Sequence, residues 1–284
     1  MGLELTKDIE GKCFFIEVDG VRLNVYDSGR FRSYDSDIVM LFLHGSPGQI
    51  SNWKFQIAYF REKYRTVAFD LRGYGRSDKP EVVSMDDYIR DLDGVIERLN
   101  IDLDRVVLVG HSFGGMVAQK YASERNIWRL VLIASLPRLR PDIFDKIVWH
   151  LPPFFWKPLL FKRYFLTERL YRNVFFSKAS PPEVFREFME DNTEYIENLP
   201  PQSFRYLRYF LDYDVRDHAD KIKCPTLIIV GKDDKVTPPE CSVELNKLIR
   251  NSRLIVLENA GHLILYEKPK EINRLIEEFI SIQQ

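Results

Sequence analysis

The feature that most constrains the fold of this chain is a Gly-x-Ser-x-Gly motif directly after an apolar segment. The motif, Gly110-His111-Ser112-Phe113-Gly114, follows Val106-Val107-Leu108-Val109. β-Branched residues favour a strand, and a helical pattern starts at Gly115, so the motif predicts a sharp strand-to-helix turn that holds the serine hydroxyl above the strand end. Larger residues two positions either side of the serine would clash in such a turn. The alternative is a glycine-rich turn that merely contains a serine.

Two more polar segments follow predicted strands further along the chain. Leu227 to Val230 precedes the adjacent acids Asp233 and Asp234, and Leu254 to Leu257 precedes His262. The carboxyl ends of parallel strands meet at one edge of an open sheet, so the serine, one acid and the histidine are expected to converge there. A serine nucleophile needs a base in contact with it, and the base needs an acid that orients it. The sequence therefore predicts Ser112 as a nucleophile and His262 as its base.

The chain resembles the α/β-hydrolase family in five motifs that follow the family's order over most of its length. Besides the segments above, they include His44 to Gly48, Asp70 to Ser77, and the run from Gly261 to Pro269. The resemblance implies an α/β fold with a mostly parallel eight-stranded sheet, helices on both faces and a helical cap inserted after strand 6. Residues 1–135 and 219–284 would form the core, and residues 136–218 the cap.

The resemblance also assigns roles within the predicted site. Asp234 has spacing from Gly231 and Pro238 similar to that of the family's acid, so we favour it over Asp233, which would be a solvated loop carboxylate. The backbone N–H groups of Phe113 and Ser46 would form the oxyanion hole, with His44 ordering that loop. The Asp70 to Ser77 loop lacks the spacing of a phosphate-binding loop and is expected to shape the sheet edge.

The predicted cap is rich in proline and aromatic residues and contains no segment with a strand pattern. These features predict several short helices joined by proline turns. Most of the aromatic side chains would pack within the cap and onto the core, and a minority would line an apolar substrate pocket. The candidate pocket residues are His44, Trp149, Phe155 and Trp156.

The site residues favour hydrolysis of carboxylic esters or lactones through an acyl-enzyme. The segment His44 to Pro47 also resembles that of epoxide hydrolases and dehalogenases, but those relatives carry an aspartate nucleophile, where this chain has Ser112. The alternatives are a hydrolase of C–C bonds in diketone acids and an aminopeptidase similar to proline iminopeptidases. An aminopeptidase needs carboxylates in the cap to bind the substrate amine. A solvated helix face is the simpler account of the four candidate acids. These acids are Glu187, Glu190, Asp191 and Glu194. A non-catalytic binding protein on the same scaffold is a further alternative.

Composition agrees with one globular α/β unit that acts on a small molecule. The 284 residues are 45% hydrophobic and 29% charged, and the net charge of −1 gives no reason to expect a nucleic acid partner. We expect no signal peptide, membrane span, metal or cofactor. Cys13, Cys224 and Cys241 are an odd number of widely separated cysteines, which favours a reducing cytoplasm over a disulfide framework.

Overall fold

The computed structural model of the protein describes residues 2–141, 143–152, 155 and 165–282, and an eight-stranded sheet forms its centre. The strand order is β1-β2-β4-β3-β5-β6-β7-β8. The pairs β1–β2 and β2–β4 are antiparallel, and the other neighbouring pairs are parallel. The predicted mostly parallel eight-stranded sheet is therefore confirmed. Its strands are β1 (Phe14–Val18), β2 (Val21–Asp27), β3 (Val39–Leu43), β4 (Arg65–Phe69), β5 (Val106–His111), β6 (Arg129–Ile133), β7 (Thr226–Gly231) and β8 (Ser252–Leu257).

Helices cover both faces of this sheet, as predicted. Successive residues of a strand point to opposite faces, so Leu41 of β3 packs in one apolar cluster while Met40 and Phe42 pack in the other. The helices are α1 (Gly2–Glu10), α2 (Lys54–Phe60), α3 (Met85–Arg98), α4 (Phe113–Glu124), α5 (Ile143–His150), α6 (Phe165–Phe175), α7 (Pro182–Asn198), α8 (Pro239–Leu248), α9 (Ile264–Glu267) and α10 (Pro269–Ser281).

Local sequence signals correctly located the first hairpin and one helix start. Asp19 and Gly20 both have positive φ and connect β1 to β2, where Val18 pairs with Val21. Ser84 caps α3 by accepting from the Asp87 amide, while the Asp87 side chain accepts from the Ser84 amide. Both predictions are confirmed. Each could be made from the sequence because it depends only on neighbouring residues.

The segment between β6 and β7, called the insertion below, has its two ends joined to each other. Arg138 and Asp214 form an isolated antiparallel bridge, and the Val215 amide donates to the Pro137 carbonyl at 2.9 Å. In the described part of this segment the regular elements are helical, including a ten-residue 3-10 helix over Pro201–Phe210. Several of these elements are short, as expected, but α7 is longer and has 17 residues. No proline interrupts it after its first turn, and its buried face has helical spacing.

The N-terminal helix α1 was not predicted from the sequence. Its buried residues are Thr6 and Ile9, and it packs against α2 and α7. The Thr6 hydroxyl donates to Asp191 at 2.9 Å, which joins the N-terminus to the segment inserted after β6. In the described ranges no helix combines the length and the apolar character needed to cross a membrane, and Cys13, Cys224 and Cys241 are unpaired.

Candidate active site

Ser112 lies at the turn between the central strand β5 and helix α4. Its backbone has φ 51° and ψ −118°, an unfavourable conformation for a residue with a Cβ atom. A Cβ atom on Gly110 would lie 2.5 Å from the Gly114 carbonyl oxygen, and one on Gly114 would lie 2.4 Å from the His44 carbonyl oxygen. The predicted steric reason for the two glycines is therefore confirmed. The Ser135 hydroxyl, which donates to the Ser112 carbonyl at 3.0 Å, helps to hold the turn in place.

The structure brings Ser112, His262 and Asp234 together at the carboxyl edge of the sheet. The Nε2 atom of His262 lies 3.2 Å from Ser112 Oγ, and its Nδ1 atom lies 2.9 Å from Asp234 Oδ2. All three residues are buried, with at most 9% of their surface exposed. The histidine can therefore accept a proton on one ring nitrogen while the other stays bonded to a carboxylate.

Asp234 is held by four hydrogen bonds. Its Oδ1 accepts from the amides of Val236 and Thr237, both at 2.9 Å, and its Oδ2 accepts from the Thr237 hydroxyl and from His262. Burial alone would raise the pKa of Asp234, but His262 and the Thr237 donors outweigh burial, so this pKa lies below its ordinary value. Asp234 is thus ionised at neutral pH. Sequence reasoning did not identify Thr237; the available signal was Asp234 itself, because aspartate side chains in turns accept from the backbone two residues on, here Val236.

The neighbouring acid, Asp233, has a different hydrogen-bond partner. It is exposed, as predicted, and accepts a hydrogen bond from the hydroxyl of Ser177 in the insertion. This places the two adjacent carboxylates in different surroundings, one buried against His262 and the other at the surface.

The segment from His44 to Gly48 lies over Ser112. A Cβ atom on Gly45 would lie 3.1 Å from Ser112 Cβ, so the two backbones are in close contact. His44 is buried, accepts from the Leu71 amide at 2.9 Å through Nε2, and has Nδ1 2.7 Å from the Gly45 carbonyl oxygen. In the described part of the chain, the amides of Ser46 and Phe113 donate to no protein acceptor. Both amides adjoin Ser112, since Phe113 follows it in the sequence and Ser46 follows Gly45, which packs against it.

His111 contacts the loop that carries His262, a role that sequence reasoning did not identify. Its Nε2 lies 3.0 Å from the His262 carbonyl oxygen, and the two rings are 4.9 Å apart between centroids. Burial, followed by the nearby His262, lowers the pKa of His111 to about 3. His111 is therefore neutral at physiological pH and can donate one N–H to that carbonyl.

The predicted pocket residues occupy different environments. Trp149 is buried in the apolar cluster that includes Phe204 and Phe210, Phe155 is 60% exposed, and Trp156 lies outside the described residues. Their assignment to the pocket stays a prediction. Phe175 was not singled out, yet its ring centroid lies 6.3 Å from that of His262.

Two of the four α7 acids, Glu190 and Glu194, are exposed, as expected of a solvated helix face, whereas Glu187 and Asp191 are ion-paired. Asp191 has no exposed side-chain surface, and its Oδ2 lies 2.5 Å from Lys54 Nζ, while Glu187 Oε1 lies 2.8 Å from the same nitrogen. The reason is that Lys54, the first residue of α2, is also fully buried and requires counter-charges. Over the described ranges, no group of three or more His, Cys, Asp or Glu side chains could hold a metal ion.

The chain is similar in sequence to proteins of known families. The chain is 28% identical to epoxide hydrolase 1 of Caenorhabditis elegans over 95% of this chain and 70% of that protein. It is 29% identical to a proline iminopeptidase of Thermoplasma volcanium, covering 85% and 88% of the two chains. It is 32% identical to the AB hydrolase superfamily protein YisY of Bacillus subtilis, covering 84% and 90%.

The fold is shared with solved structures of low sequence identity. An esterase from Exiguobacterium antarcticum superposes with a TM-score of 0.78 at 24% identity, covering 94% of this chain and 99% of that one. The sequence profile of the alpha/beta hydrolase fold matches residues 38–269, a range that contains Ser112, Asp234 and His262. The chain belongs to the α/β-hydrolase fold family.

Proposed function

We propose that this protein is a serine hydrolase that cleaves carboxylic esters or lactones through an acyl-enzyme intermediate. The observation that carries the proposal is the continuous path from Ser112 Oγ to His262 at 3.2 Å and from His262 to Asp234 at 2.9 Å. A seryl hydroxyl is a weak nucleophile unless a base accepts its proton, and this arrangement supplies the base together with its orienting acid.

In the proposed reaction, Ser112 Oγ attacks the ester carbonyl carbon while His262 Nε2 takes its proton. The carbonyl oxygen becomes an oxyanion, and in this proposal the amides of Ser46 and Phe113 stabilise it. The C–O bond to the alcohol then breaks, and His262 returns the proton to the leaving oxygen. A water molecule attacks the acyl group with His262 again as base, the acid leaves, and Ser112 recovers its proton. Asp234 stays ionised throughout and stabilises the imidazolium.

We further propose that residues 136–218 act as a cap that forms part of an apolar substrate pocket. Two contacts support this proposal. The Tyr195 hydroxyl donates to the Gly48 carbonyl at 2.7 Å, next to the proposed oxyanion loop, and the Phe175 ring lies beside His262. The insertion therefore contacts both sides of the Ser112 site.

One sequence feature argues against epoxide hydrolysis, and one structural feature argues against an aminopeptidase that uses Asp191 or Glu187. A serine at the nucleophile position supports acyl transfer, whereas the aspartate of epoxide hydrolases supports an alkyl-enzyme ester. Asp191 and Glu187, which an aminopeptidase could use to bind a substrate amine, are already paired with Lys54. Hydrolysis of a C–C bond in a diketone acid would use the same Ser112, His262 and Asp234. Only an activity assay distinguishes it from ester hydrolysis.

Ser112→Ala tests the mechanism directly. We expect this variant to fold normally and to lose nearly all turnover of a short p-nitrophenyl ester. A serine-directed phosphonate is expected to label Ser112 in the unaltered protein. Ser123→Ala is the matched control, because in the described part of the chain the Ser123 hydroxyl bonds only to the Lys120 carbonyl on α4. Full activity in Ser112→Ala, or phosphonate labelling at another residue, would refute the mechanism. A panel of esters, lactones, diketone acids and aminoacyl amides then identifies the substrate class.

A further inference from the structure

We propose that Glu267 is a positioning residue that fixes His262 relative to the insertion; the inference rests on the proposed role of His262 as the base. Glu267 is the last residue of the short helix α9, which follows the His262 loop. One carboxylate oxygen, Oε2, accepts from the Gly261 amide at 2.7 Å. The other, Oε1, accepts from the Ser177 amide at 2.8 Å and from the Ser180 hydroxyl.

The two oxygens of Glu267 therefore bind different parts of the chain. Gly261 immediately precedes His262, whereas Ser177 and Ser180 belong to the connection between α6 and α7 in the insertion. A single carboxylate with acceptor sites on both oxygens can serve three donors at once. Its neutral amide analogue, glutamine, keeps one oxygen and replaces the other with a donor that would face an N–H or O–H group.

The backbone around His262 shows why this link matters. A Cβ atom on Gly261 would lie 2.8 Å from the Phe175 carbonyl oxygen and from the Ser177 nitrogen. On the other side of the histidine, the Leu263 amide donates to the same Phe175 carbonyl at 3.0 Å. Both neighbours of His262 are thus bonded to the insertion, one directly and one through Glu267.

Glu267 does not contact Ser112 or the proposed oxyanion donors in the described structure, so its effect on the reaction would pass through His262. Burial raises the pKa of Glu267, whereas the Ser180, Ser177 and Gly261 donors lower it, and burial prevails. Loss of these bonds is expected to let His262 move relative to Ser112 without changing the residues that line the substrate pocket. Small displacements of a catalytic group cost up to about 100-fold in rate.

The test compares Glu267→Gln with the same substitution at Glu258, an exposed residue before His262 that pairs with Lys232. We expect Glu267→Gln to lower kcat on the order of 10- to 100-fold with KM little changed, and Glu258→Gln to leave both unchanged. Ser180→Ala removes one donor from the insertion and is expected to lower kcat by a smaller factor, which keeps the test valid if Glu267→Gln folds poorly.

The rate at which a phosphonate labels Ser112 separates failure of this inference from failure of the proposed function. If the unaltered protein is not labelled at Ser112, the proposed mechanism fails. If it is labelled, and Glu267→Gln is labelled as fast, the positioning role is refuted. An increase in KM with kcat unchanged also refutes it, because that result would place Glu267 in substrate binding. Slower labelling of Glu267→Gln with normal far-UV circular dichroism supports the inference.

Discussion

Lys54 and Asp191 form an ion pair from which water is excluded: Nζ lies 2.5 Å from Oδ2, and neither side chain has any exposed surface. Lys54 belongs to α2 of the core and Asp191 to α7 of the insertion, so the pair joins two parts of the chain that are distant in sequence. Thr6 of α1 and Tyr266 of α9 also donate to the Asp191 carboxylate. Each donor compensates part of the cost of burying that charge.

Lys54→Met is therefore expected to destabilise the fold strongly. Removing one partner leaves a buried carboxylate without its counter-charge, which costs about 3–5 kcal/mol of unfolding free energy. Urea denaturation measures this loss. Adding Asp191→Asn is expected to recover part of it, and Lys232→Met, in the exposed pair with Glu258, is expected to change stability little. A double variant as unstable as the sum of the two single variants would contradict the buried-pair account.

Substitution of the two adjacent acids is expected to separate their roles. Asp234→Asn disturbs the tautomer and charge of His262, and we expect kcat to fall by roughly 10⁴-fold, by analogy with the chymotrypsin-type acid that serves as the reference case. Asp233→Asn removes an exposed carboxylate bonded to Ser177 and is expected to cost little activity. Steady-state kinetics on one ester decides between them, and a reversed pattern would assign the acid role to Asp233.

The lowered pKa of Asp234 predicts how stability depends on pH. Because this pKa is lower in the folded chain than its ordinary value of 3.8, ionised Asp234 stabilises the fold above about pH 4. That contribution is lost as the pH falls through the folded-state pKa. We expect the unfolding free energy of the unaltered protein to fall more steeply below about pH 4 than that of Asp234→Asn. Parallel pH dependences would show that Asp234 does not provide this contribution.

An apolar pocket at the insertion predicts a dependence on substrate chain length. Each buried methylene contributes about 0.8 kcal/mol, so kcat/KM is expected to rise roughly fourfold per methylene until the pocket is full. The measurement is an ester series from acetate to decanoate with a charged analogue of matched length. Phe175→Ala is expected to reduce the slope, and Phe15→Ala, on the exposed edge strand, serves as its control. A flat series, or preference for the charged analogue, would rule out an apolar pocket.

Short-range sequence signals accounted for most of the fold. The Asp19-Gly20 turn and the Ser84 capping box involve residues at most three apart, so the local sequence was sufficient to predict them. The apolar runs of β3, β5 and β7 were equally clear because those strands are buried on both faces.

Interactions between distant residues could not be predicted in the same way. Lysine and aspartate are usually solvated, and nothing near Lys54 or Asp191 in the sequence indicates that the two side chains meet. The short helix α1 buries only Thr6 and Ile9, too few positions for a helical period to stand out. The role of His111 could not be predicted, because its bond to the His262 carbonyl depends on the relative position of β5 and the loop after β8.

The insertion contacts the His44 to Gly48 segment through Tyr195 and the His262 loop through Phe175 and Glu267. These two loops come from opposite ends of the sequence, one after β3 and the other after β8. A substitution in the insertion can therefore alter turnover as well as substrate preference. In directed evolution of this chain, changes in residues 136–218 cannot be screened by affinity alone, since a variant that binds a new ester well can lose the alignment that hydrolyses it. Selectivity and rate would have to be selected together.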